Sequence, residues 1–227
     1  AAQLKISGNS SSRVFEINSG AEVTISGLEI ADGRAPFGGG IYNYGGTLTI
    51  TDSTISGNTA VIIHGGGIYN WSGTLTITNS IISSNTADSK GGGIIHRVGK
   101  LTITNSTISS NTADSDGGGI YNWGGMLTIT DSTLSDNEAG NRGGAIWNEE
   151  TLTVTNSTLS RNEAKNGGGI INVGNMTINN SALSNNTADD GEGGGINNQV
   201  GNLTITNSSI SDNTSTSQGG GIFNLST

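Results

Sequence analysis

Hydrophobic and polar residues alternate in short segments along nearly the whole chain. Leu48, Ile50 and Ile55, for example, alternate with threonines, and Gly and Asn residues separate such segments from one another. A period of two predicts strands with one buried face, and the Gly and Asn positions predict tight turns between them. The pattern therefore predicts an all-β chain of many short strands.

These segments recur at an interval of about 26 residues. Each unit begins with Gly-Gly-[Gly/Ala]-Ile-Tyr-Asn or a close variant, continues as Leu-Thr-Ile-Thr and ends as Ser-Thr-Ile-Ser, which gives three predicted strands. The first isoleucines of the units are Ile41, Ile68, Ile94, Ile120, Ile146, Ile170, Ile196 and Ile222. One unit cannot bury its own apolar edge, so each strand is expected to pair with its copy in the next unit.

The repeat predicts a right-handed parallel β-helix with three parallel sheets, in which each coil adds about 4.8 Å along the axis. Residues 1–227 are expected to form a single β-helix domain, with degenerate coils over 1–37 and regular repeats over 38–227. No polar capping repeat follows the last unit, although solenoids normally need one. We therefore expect either a segment of a longer chain or ends that stack on other copies into a filament.

Composition narrows the class of protein further. The 227 residues include 38 glycines, and only 31% are hydrophobic, which leaves too few large apolar side chains for a thick globular core. A thin core of stacked isoleucine and leucine columns fits better. Asn58, Asn85, Asn111 and their equivalents are expected to form amide ladders at the turns. The glycine triplets are expected to allow tight corners with positive φ.

Charge and cysteine content exclude several functions. No cysteine is present, which excludes disulfides, zinc–cysteine sites and thiol catalysis. The net charge of −9 argues against nucleic acid as a partner, because a phosphate backbone needs a basic face. No apolar run approaches the length of a membrane span, so membrane insertion is not expected. No cofactor is predicted.

Aromatic residues follow the core isoleucines in two columns. The first column contains Tyr42, Tyr69, Tyr121, Trp147 and Phe223, and the second, two residues further on, contains Tyr44, Trp71 and Trp123. Because the isoleucine points inward, both columns are expected on the outside of one strand or at its end. Arg97 falls between Trp71 and Trp123, where it is predicted to stack between the two indoles.

These columns supply the candidate ligand-binding residues. They are Tyr69, Trp71, His96, Arg97, Tyr121 and Trp123. Exposed rows of aromatic residues are typical of recognition sites for sugars or proteins. The alternative is an aromatic ladder that only stabilises the surface of the sheet. His96 stands where other units have Asn, so it is either a ligand contact or a substituted turn residue.

The Leu-Thr-Ile-Thr segments are expected to carry two rows of hydroxyls on the outside of their sheet. The candidate residues are Thr49, Thr51, Thr76, Thr78, Thr102, Thr104, Thr128, Thr130, Thr153 and Thr155. A Thr-x-Thr array on a β-solenoid resembles the ice-binding face of antifreeze proteins, with spacings of about 4.8 Å between coils and about 6.7 Å along a strand. The alternative is that Thr is simply a favourable residue for an exposed strand.

Acidic residues cluster at the corner that precedes the glycines. They are Asp88, Asp114, Asp116, Asp189, Asp190 and Glu192. Calcium binds such oxygens, but Lys90, Asp116 and Arg142 fall in one column, which favours ion pairs between coils. No metal site is predicted. Catalysis is not expected either, because the chain has two histidines and no serine in a nucleophile elbow.

The repeat also carries a family resemblance. Gly143-Gly144-Ala145-Ile146, together with [Ile/Leu]-x-x-Asn-[Thr/Glu]-Ala, resembles the pectin-lyase-like right-handed β-helix repeats of large bacterial surface proteins. The pair is also similar to the GGA[I/L/V] and FxxN repeats of chlamydial polymorphic outer-membrane proteins, although Ile or Leu replaces the Phe. The resemblance implies an extracellular or cell-surface stalk or adhesin passenger of bacterial origin.

The expected function is therefore that of a non-catalytic rigid stalk or adhesin module. Its partner would be a cell-surface glycan or protein, or another copy of the chain joined end to end. An ice-binding solenoid is the first alternative. A polysaccharide lyase or hydrolase-like enzyme is the second, and it would need charged residues that converge on one groove, for which the sequence offers only His96, Arg97 and Lys100.

Overall fold

A computed structural model gives the structure of residues 3–225. These residues contain strands and turns but no helix, and all the strand pairs are parallel to one another. The chain winds through about eight turns of about 26 residues, and its strands form three parallel sheets. The predicted all-β parallel solenoid is confirmed.

The largest sheet has fifteen strands and combines two of the predicted strand types. The Gly-Ile-Tyr-Asn and Leu-Thr-Ile-Thr strands were expected in separate sheets. They belong to one bent sheet because Ile41–Thr51 and Ile68–Thr78 run unbroken through the corner between the two arms. The other strands of this sheet are Phe15–Ile17, Glu22–Ser26, Ile94–His96, Lys100–Thr104, Ile120–Asn122, Met126–Thr130, Ile146–Asn148, Thr151–Thr155, Ile170–Asn172, Asn175–Asn179, Ile196–Asn198, Leu203–Thr206 and Ile222–Asn224.

The second sheet has nine strands and contains the predicted Ser-Thr-Ile-Ser segments. Each strand directs its central hydrophobic residue inward, as at Ile108, while the flanking Thr107 and Ser109 stay half-buried on the outer side. The strands are Leu4–Ser7, Leu28–Ala31, Thr54–Ser56, Ile81–Ser83, Thr107–Ser109, Thr133–Ser135, Thr158–Ser160, Ala182–Ser184 and Ser209–Ser211.

A third sheet of eight short strands follows the recurring Asn turn of each coil and was not predicted. Four of its eight strands are Thr-Ala pairs, which are too short for a period of two to be visible. Ala113 is fully buried in its strand and Thr112 is half-buried on the outer side. The strands are Arg34–Ala35, Thr59–Ala60, Thr86–Ala87, Thr112–Ala113, Glu138–Arg142, Glu163–Asn166, Thr187–Ala188 and Thr214–Ser215.

The core consists of stacked columns of identical or similar side chains. Ile68 pairs in register with Ile94, and Leu101 pairs with Leu127. All four side chains are completely buried. In-register stacking lets each coil bury the apolar edge of the next, so a small hydrophobic fraction suffices for a continuous core.

The predicted amide ladder at the Asn-Thr-Ala turn is confirmed. Asn111 donates from Nδ2 to Oδ1 of Asn137 at 3.0 Å and to the carbonyl oxygen of Ile82 at 2.9 Å. Its own Oδ1 accepts from the backbone N–H of Asn85 at 3.1 Å and from Nδ2 of Asn85 at 2.9 Å. The ladder thus supplies hydrogen bonds to buried backbone groups at the turn and at the strand before it.

The glycine triplets serve two purposes, of which positive φ is only the first. Gly91 opens its triplet with a φ of 65°, as expected. Gly92 has no such need, but a Cβ placed there would lie 2.5 Å from the carbonyl oxygens of Thr112 and Gly118. The second glycine is required because the backbones of neighbouring coils approach too closely for any side chain.

Candidate ligand-binding cleft

The first aromatic column lies outside the main core, as predicted, but its side chains are not exposed. Tyr69 is 4% exposed and Tyr121 is 1% exposed. With Tyr42, Ile95, Trp147 and Ile171 they form a second, separate apolar cluster on the outer side of the sheet. Tyr69 and Tyr121 were expected to present their rings to a ligand, and this is wrong for Tyr121, because neighbouring coils cover the column.

Cations at the corner loops help to cover this cluster. The Nζ of Lys90 lies 4.4 Å from the ring centre of Tyr121, and the guanidinium of Arg142 lies 4.2 Å from that of Trp147. Both cations pair with the buried carboxylate of Asp116, at 3.7 Å from Lys90 and 3.1 Å from Arg142. The predicted ion pairs between coils are confirmed.

Hydrogen bonds fix the polar atoms of the aromatic cluster. The hydroxyl of Tyr121 accepts from Lys90 Nζ at 2.9 Å and donates to Glu149, which also accepts from Trp147 Nε1 at 2.9 Å. Burial raises the pKa of Tyr121 well above its ordinary value, with Glu149 contributing in the same direction. Tyr121 and Trp147 therefore belong to the scaffold that supports the outer face.

Next to this scaffold the side chains leave a cleft of about 280 Å³. It is lined by Phe37, Tyr42, Ile63, His64, Tyr69, Trp71, Arg97 and Trp123, and we call it the aromatic cleft. The structure thus brings together four of the six predicted binding residues, namely Tyr69, Trp71, Arg97 and Trp123. Trp71 is half-buried and Trp123 is 38% exposed, so both indoles reach the surface.

Arg97 is held between two indoles, as the sequence predicts. Its guanidinium carbon lies 3.7 Å from the ring centre of Trp71 and 5.0 Å from that of Trp123. The backbone N–H of Arg97 donates to Asn70 at 3.0 Å, and that of Trp123 donates to His96 at 2.8 Å, so neighbouring coils set the spacing. Within residues 3–225 no carboxylate pairs with Arg97.

Tyr44 does not share the column of Trp71. The pairing of the two long strands shifts after Asn43, so Tyr44 lies opposite Ser72. Gly45, with a φ of 132°, lies at this irregularity. Tyr44 is half exposed and touches the cleft through Tyr42, whose ring centre is 5.9 Å away.

His64 is a cleft residue that the sequence did not single out. It is half-buried, its Nδ1 has no hydrogen-bond partner within the described chain, and its ring meets those of Tyr69 and Trp123 edge to face. Burial and the nearby charge of Lys90 lower the pKa of His64. One signal was available: Val61-Ile62-Ile63-His64 is one residue longer, and far more apolar, than the corresponding corner of the next coil.

Comparison with known proteins identifies the fold family. The family described as a right-handed β-helix region matches the chain over residues 3–126 and again over 66–227. The chain belongs to the right-handed β-helix family. The predicted handedness and the pectin-lyase-like character of the repeats are thereby confirmed. The likeness to chlamydial repeats stays a prediction. No curated protein and no solved structure matched the chain.

Membership of this family does not decide whether the β-helix is catalytic, because the family includes pectate lyases and hydrolases as well as other proteins. His96, one of the candidate residues for ligand binding or catalysis, is fully buried. It replaces an Asn in a second amide ladder, where its Nδ1 accepts from Nδ2 of Asn70 at 2.9 Å. Burial lowers the pKa of His96 to about 4. His96 therefore substitutes for an Asn at the end of its strand and cannot reach a ligand in this structure.

The β-helix carries its threonine rows on the other arm of the fifteen-stranded sheet, and we call this surface the threonine face. Thr76, Thr102 and Thr128 pair in register, as do Thr78, Thr104 and Thr130. The rows continue through Thr49, Thr51, Thr153 and Thr155, and every one of these side chains is half-buried. The expected regular array of hydroxyls is present, but nothing in its geometry assigns it a ligand.

The acidic corners of the β-helix are dispersed apart from Asp116. Asp88, Asp114, Asp189 and Asp190 are exposed. Within residues 3–225, no three His, Asp or Glu side chains come together in a way that could hold a metal ion. The same residues contain no helix long and apolar enough to cross a membrane.

Proposed function

We propose that this β-helix is a non-catalytic module of an extracellular or cell-surface protein, in which a rigid stalk presents the aromatic cleft to a partner. The observation that carries the proposal is the cleft itself. Its walls are mainly aromatic and aliphatic, and Arg97 is fixed between Trp71 and Trp123. Concave apolar sites with a few oriented polar groups are typical of ligand binding.

The regular coils support the role of a stalk. Strands pair in register from coil to coil, buried amide ladders tie successive turns together, and the core columns run along the axis. Each coil contacts only its neighbours, so length is added without a change of cross-section. A rigid rod of this kind holds a binding surface at a fixed distance from its point of attachment.

The make-up of the cleft supports a binding role over a catalytic one. Its lining contains one histidine, one arginine and no carboxylate. General acid–base catalysis at a glycosidic bond needs a pair of carboxyl groups on either side of it, or another acid and base within hydrogen-bonding reach of the substrate. His64 faces aromatic rings, with no nucleophile beside it among the lining residues.

An array of oligosaccharides and extracellular proteins, probed with the labelled β-helix, tests this proposal. We expect binding to at least one class of probe, and a loss of about tenfold or more in the double variant Trp71→Ala, Trp123→Ala, because both indoles reach the surface. The control is Thr107→Ala, Thr133→Ala on the nine-stranded sheet. Equal binding by both double variants, or cleavage of any polysaccharide on the array, would overturn the proposal.

Ice binding is a second candidate, favoured by the unbroken register of the threonine face. The double variant Thr102→Tyr, Thr128→Tyr should abolish thermal hysteresis, because the bulky rings interrupt both the spacing and the flatness of the rows. Thr107→Tyr, Thr133→Tyr is the matched control on the nine-stranded sheet. If the wild-type β-helix shows no hysteresis and no shaping of ice crystals, this candidate is eliminated.

A further inference from the structure

The surface around the aromatic cleft differs in composition from the rest of the β-helix. Ile62 is 66% exposed and Val98 is 53% exposed, next in sequence to the cleft residues Ile63 and Arg97. Met126 is 52% exposed, three residues after Trp123. Aromatic residues, Met and Arg are the types enriched in the cores of protein–protein interfaces. Elsewhere the outer rows consist mainly of Thr, Ser and Asn, although Leu4, Ile81 and Val200 are also exposed.

The size of the cleft points to a single side chain as its occupant. At about 280 Å³ the cleft lies just below the range of ordinary small-molecule sites, which begins at about 300 Å³. Protein interfaces commonly depend on one or two bulky side chains that fill pockets of this kind, surrounded by an apolar rim that excludes water. Ile62 and Val98 are exposed apolar residues next in sequence to the lining residues Ile63 and Arg97, which suits them to such a rim.

The chemistry of the lining disfavours a neutral sugar. Each hydroxyl of a buried sugar ring needs a hydrogen-bonding partner, since an unpaired polar group costs about 1–3 kcal/mol. Most of the cleft surface is carbon, from Phe37, Ile63 and the faces of the rings. An apolar side chain fills such a space without leaving polar groups unpaired.

The positive charge of Arg97 indicates which group of the ligand lies beside that side chain. Arg97 has no ion pair within residues 3–225, and its guanidinium makes no hydrogen bond to any of these residues, whereas Lys90 and Arg142 are both paired with Asp116. The two indoles hold the guanidinium plane in one orientation, which favours a carboxylate, the group whose geometry matches its N–H donors. Lys100, three residues further on, is exposed and does not line the cleft.

We propose that the aromatic cleft binds an acidic segment of a partner protein. An aromatic or large aliphatic side chain of the segment fills the cleft, and the carboxylate of a neighbouring Asp or Glu pairs with Arg97. This inference rests on the proposed binding function and names its partner class. A glycan, or a second copy of this chain, would be a different occupant, and each gives a distinct result in the experiment below.

The experiment selects binders from a random displayed peptide library on the wild-type β-helix. We expect selected sequences to share a bulky apolar residue close to an Asp or Glu. The selected peptides, made synthetically, should bind Arg97→Gln about tenfold more weakly and Lys100→Gln with nearly unchanged affinity. Replacing the peptide's acidic residue by its amide should cost about the same factor on the wild type and nothing further on Arg97→Gln. This coupling separates a direct ion pair from a disturbed indole stack.

The three tryptophans provide an internal readout. In a spectrum of the indole N–H groups, peptide should shift the signals of Trp71 and Trp123 and leave that of Trp147, which is 5% exposed beneath Arg142, in place. Oligosaccharides, neutral and acidic, are titrated in parallel, and the free protein is diluted to test self-association.

The outcomes are distinguishable. If oligosaccharides move the Trp71 and Trp123 signals and no peptide does, the inference fails and the proposed binding function survives. If dilution alone moves them, the occupant is a second copy and the inference is overturned. Selected peptides without an acidic residue, or with no coupling to Arg97, overturn it as well. If neither peptides nor oligosaccharides move these signals, the inference and the proposed function fall together.

Discussion

The threonine face and the aromatic cleft lie on two arms of the same fifteen-stranded sheet, yet they are organised in different ways. On the threonine face, Thr102 and Thr128 follow the register of their strands, and each side chain is half-buried as alternation requires. On the other arm, Tyr69 and Tyr121 also point away from the main core, but side chains of adjacent coils bury them.

The difference arises from side-chain length. A threonine reaches only its own position on the sheet, so its environment is fixed by the backbone lattice. Tyr, Trp, Arg and Lys extend across the spacing of about 4.8 Å between coils, so they contact each other and the corner loops. The aromatic cleft exists where the repeat is broken, at the longer corner that contains Ile63 and His64 and at Arg97, which stands between two tryptophans.

The largest expected effect comes from a change that damages both arms together. Gly92→Ala places a Cβ 2.5 Å from two carbonyl oxygens of neighbouring backbone, which cannot move without separating the coils. We expect a loss of about 3 kcal/mol in the free energy of unfolding, measured by chemical denaturation with far-ultraviolet circular dichroism. Gly221→Ala is the control, because its Cβ would make only an ordinary contact of 3.5 Å with Ile210. Similar losses in both variants would contradict this account of the triplets.

A second change should destabilise only the arm of the fifteen-stranded sheet that carries the aromatic cluster. Asp116→Asn removes the charge that pairs with Lys90 and Arg142, at a carboxylate that is 1% exposed. Breaking a fully buried pair costs about 3–5 kcal/mol, and because both cations are partly exposed we expect about 2 kcal/mol here. The near-ultraviolet circular dichroism of the aromatic cluster should change while the far-ultraviolet spectrum stays the same. Asp136→Asn, which breaks an exposed pair with Arg161, should shift the denaturation midpoint much less.

A third change should restore the amide ladder that His96 interrupts on the same arm. His96 leaves its own Nε2 and the Oδ1 of Asn122 without hydrogen-bond partners within the described chain, whereas Asn122 donates to Asn148 at 2.7 Å. His96→Asn restores the side chain of the other coils and should stabilise the protein by about 1 kcal/mol. Thermal denaturation at pH 7 measures this gain, and an unchanged or lower melting temperature would contradict it.

The same variant should change how stability depends on pH. Burial lowers the pKa of His96 to about 4, so between its ordinary pKa of 6.5 and this value the unfolded chain is protonated and the folded chain is not. The wild type should therefore lose stability relative to His96→Asn as the pH falls from 7 to 5, by about 2 kcal/mol. Denaturation midpoints at pH 7, 6 and 5 test this, with pH 5 as the limit because the isoelectric point is about 4.4. A constant difference between the two proteins would contradict it.

The smallest effect is expected on the threonine face. Thr128→Val keeps the shape of the side chain and removes a half-buried hydroxyl. This hydroxyl makes no hydrogen bond within the described chain, where the coils are held together by the pairing of their strands. We expect the free energy of unfolding to change by less than about 0.5 kcal/mol. A loss above about 1 kcal/mol would mean that the hydroxyl rows are part of the scaffold after all.

The fold could be predicted because every coil repeats the same pattern of hydrophobic, Asn and Gly positions. The period of two at Leu101 and Ile103, repeated in each unit, leaves in-register stacking as the only way to bury the apolar residues, and the turn asparagines then form a ladder. The third sheet escaped prediction because strands such as Thr112–Ala113 are too short to show a period. The sequence did not predict that the two arms join into one sheet, because the joining depends on the backbone conformation at Tyr44 and Gly45.

The cleft could be predicted only in part. The column that places Arg97 between Trp71 and Trp123 follows from the repeat, and so do the ion pairs of Asp116. The burial of Tyr121 and His96 does not, because both occupy columns whose exposure depends on what the next coils and corner loops place over them.

The sequence by itself therefore determined the β-helix, its core columns, its threonine rows and the cation between the two indoles. All of these depend only on which residues recur at one position of the coil, and stacking brings such residues together. Tertiary structure alone decided which outward side chains reach the surface and that Ile63 and His64 close a cleft with Trp71 and Trp123. These features depend on how far long side chains and one lengthened corner extend over the neighbouring coils, and a repeating pattern does not encode that distance.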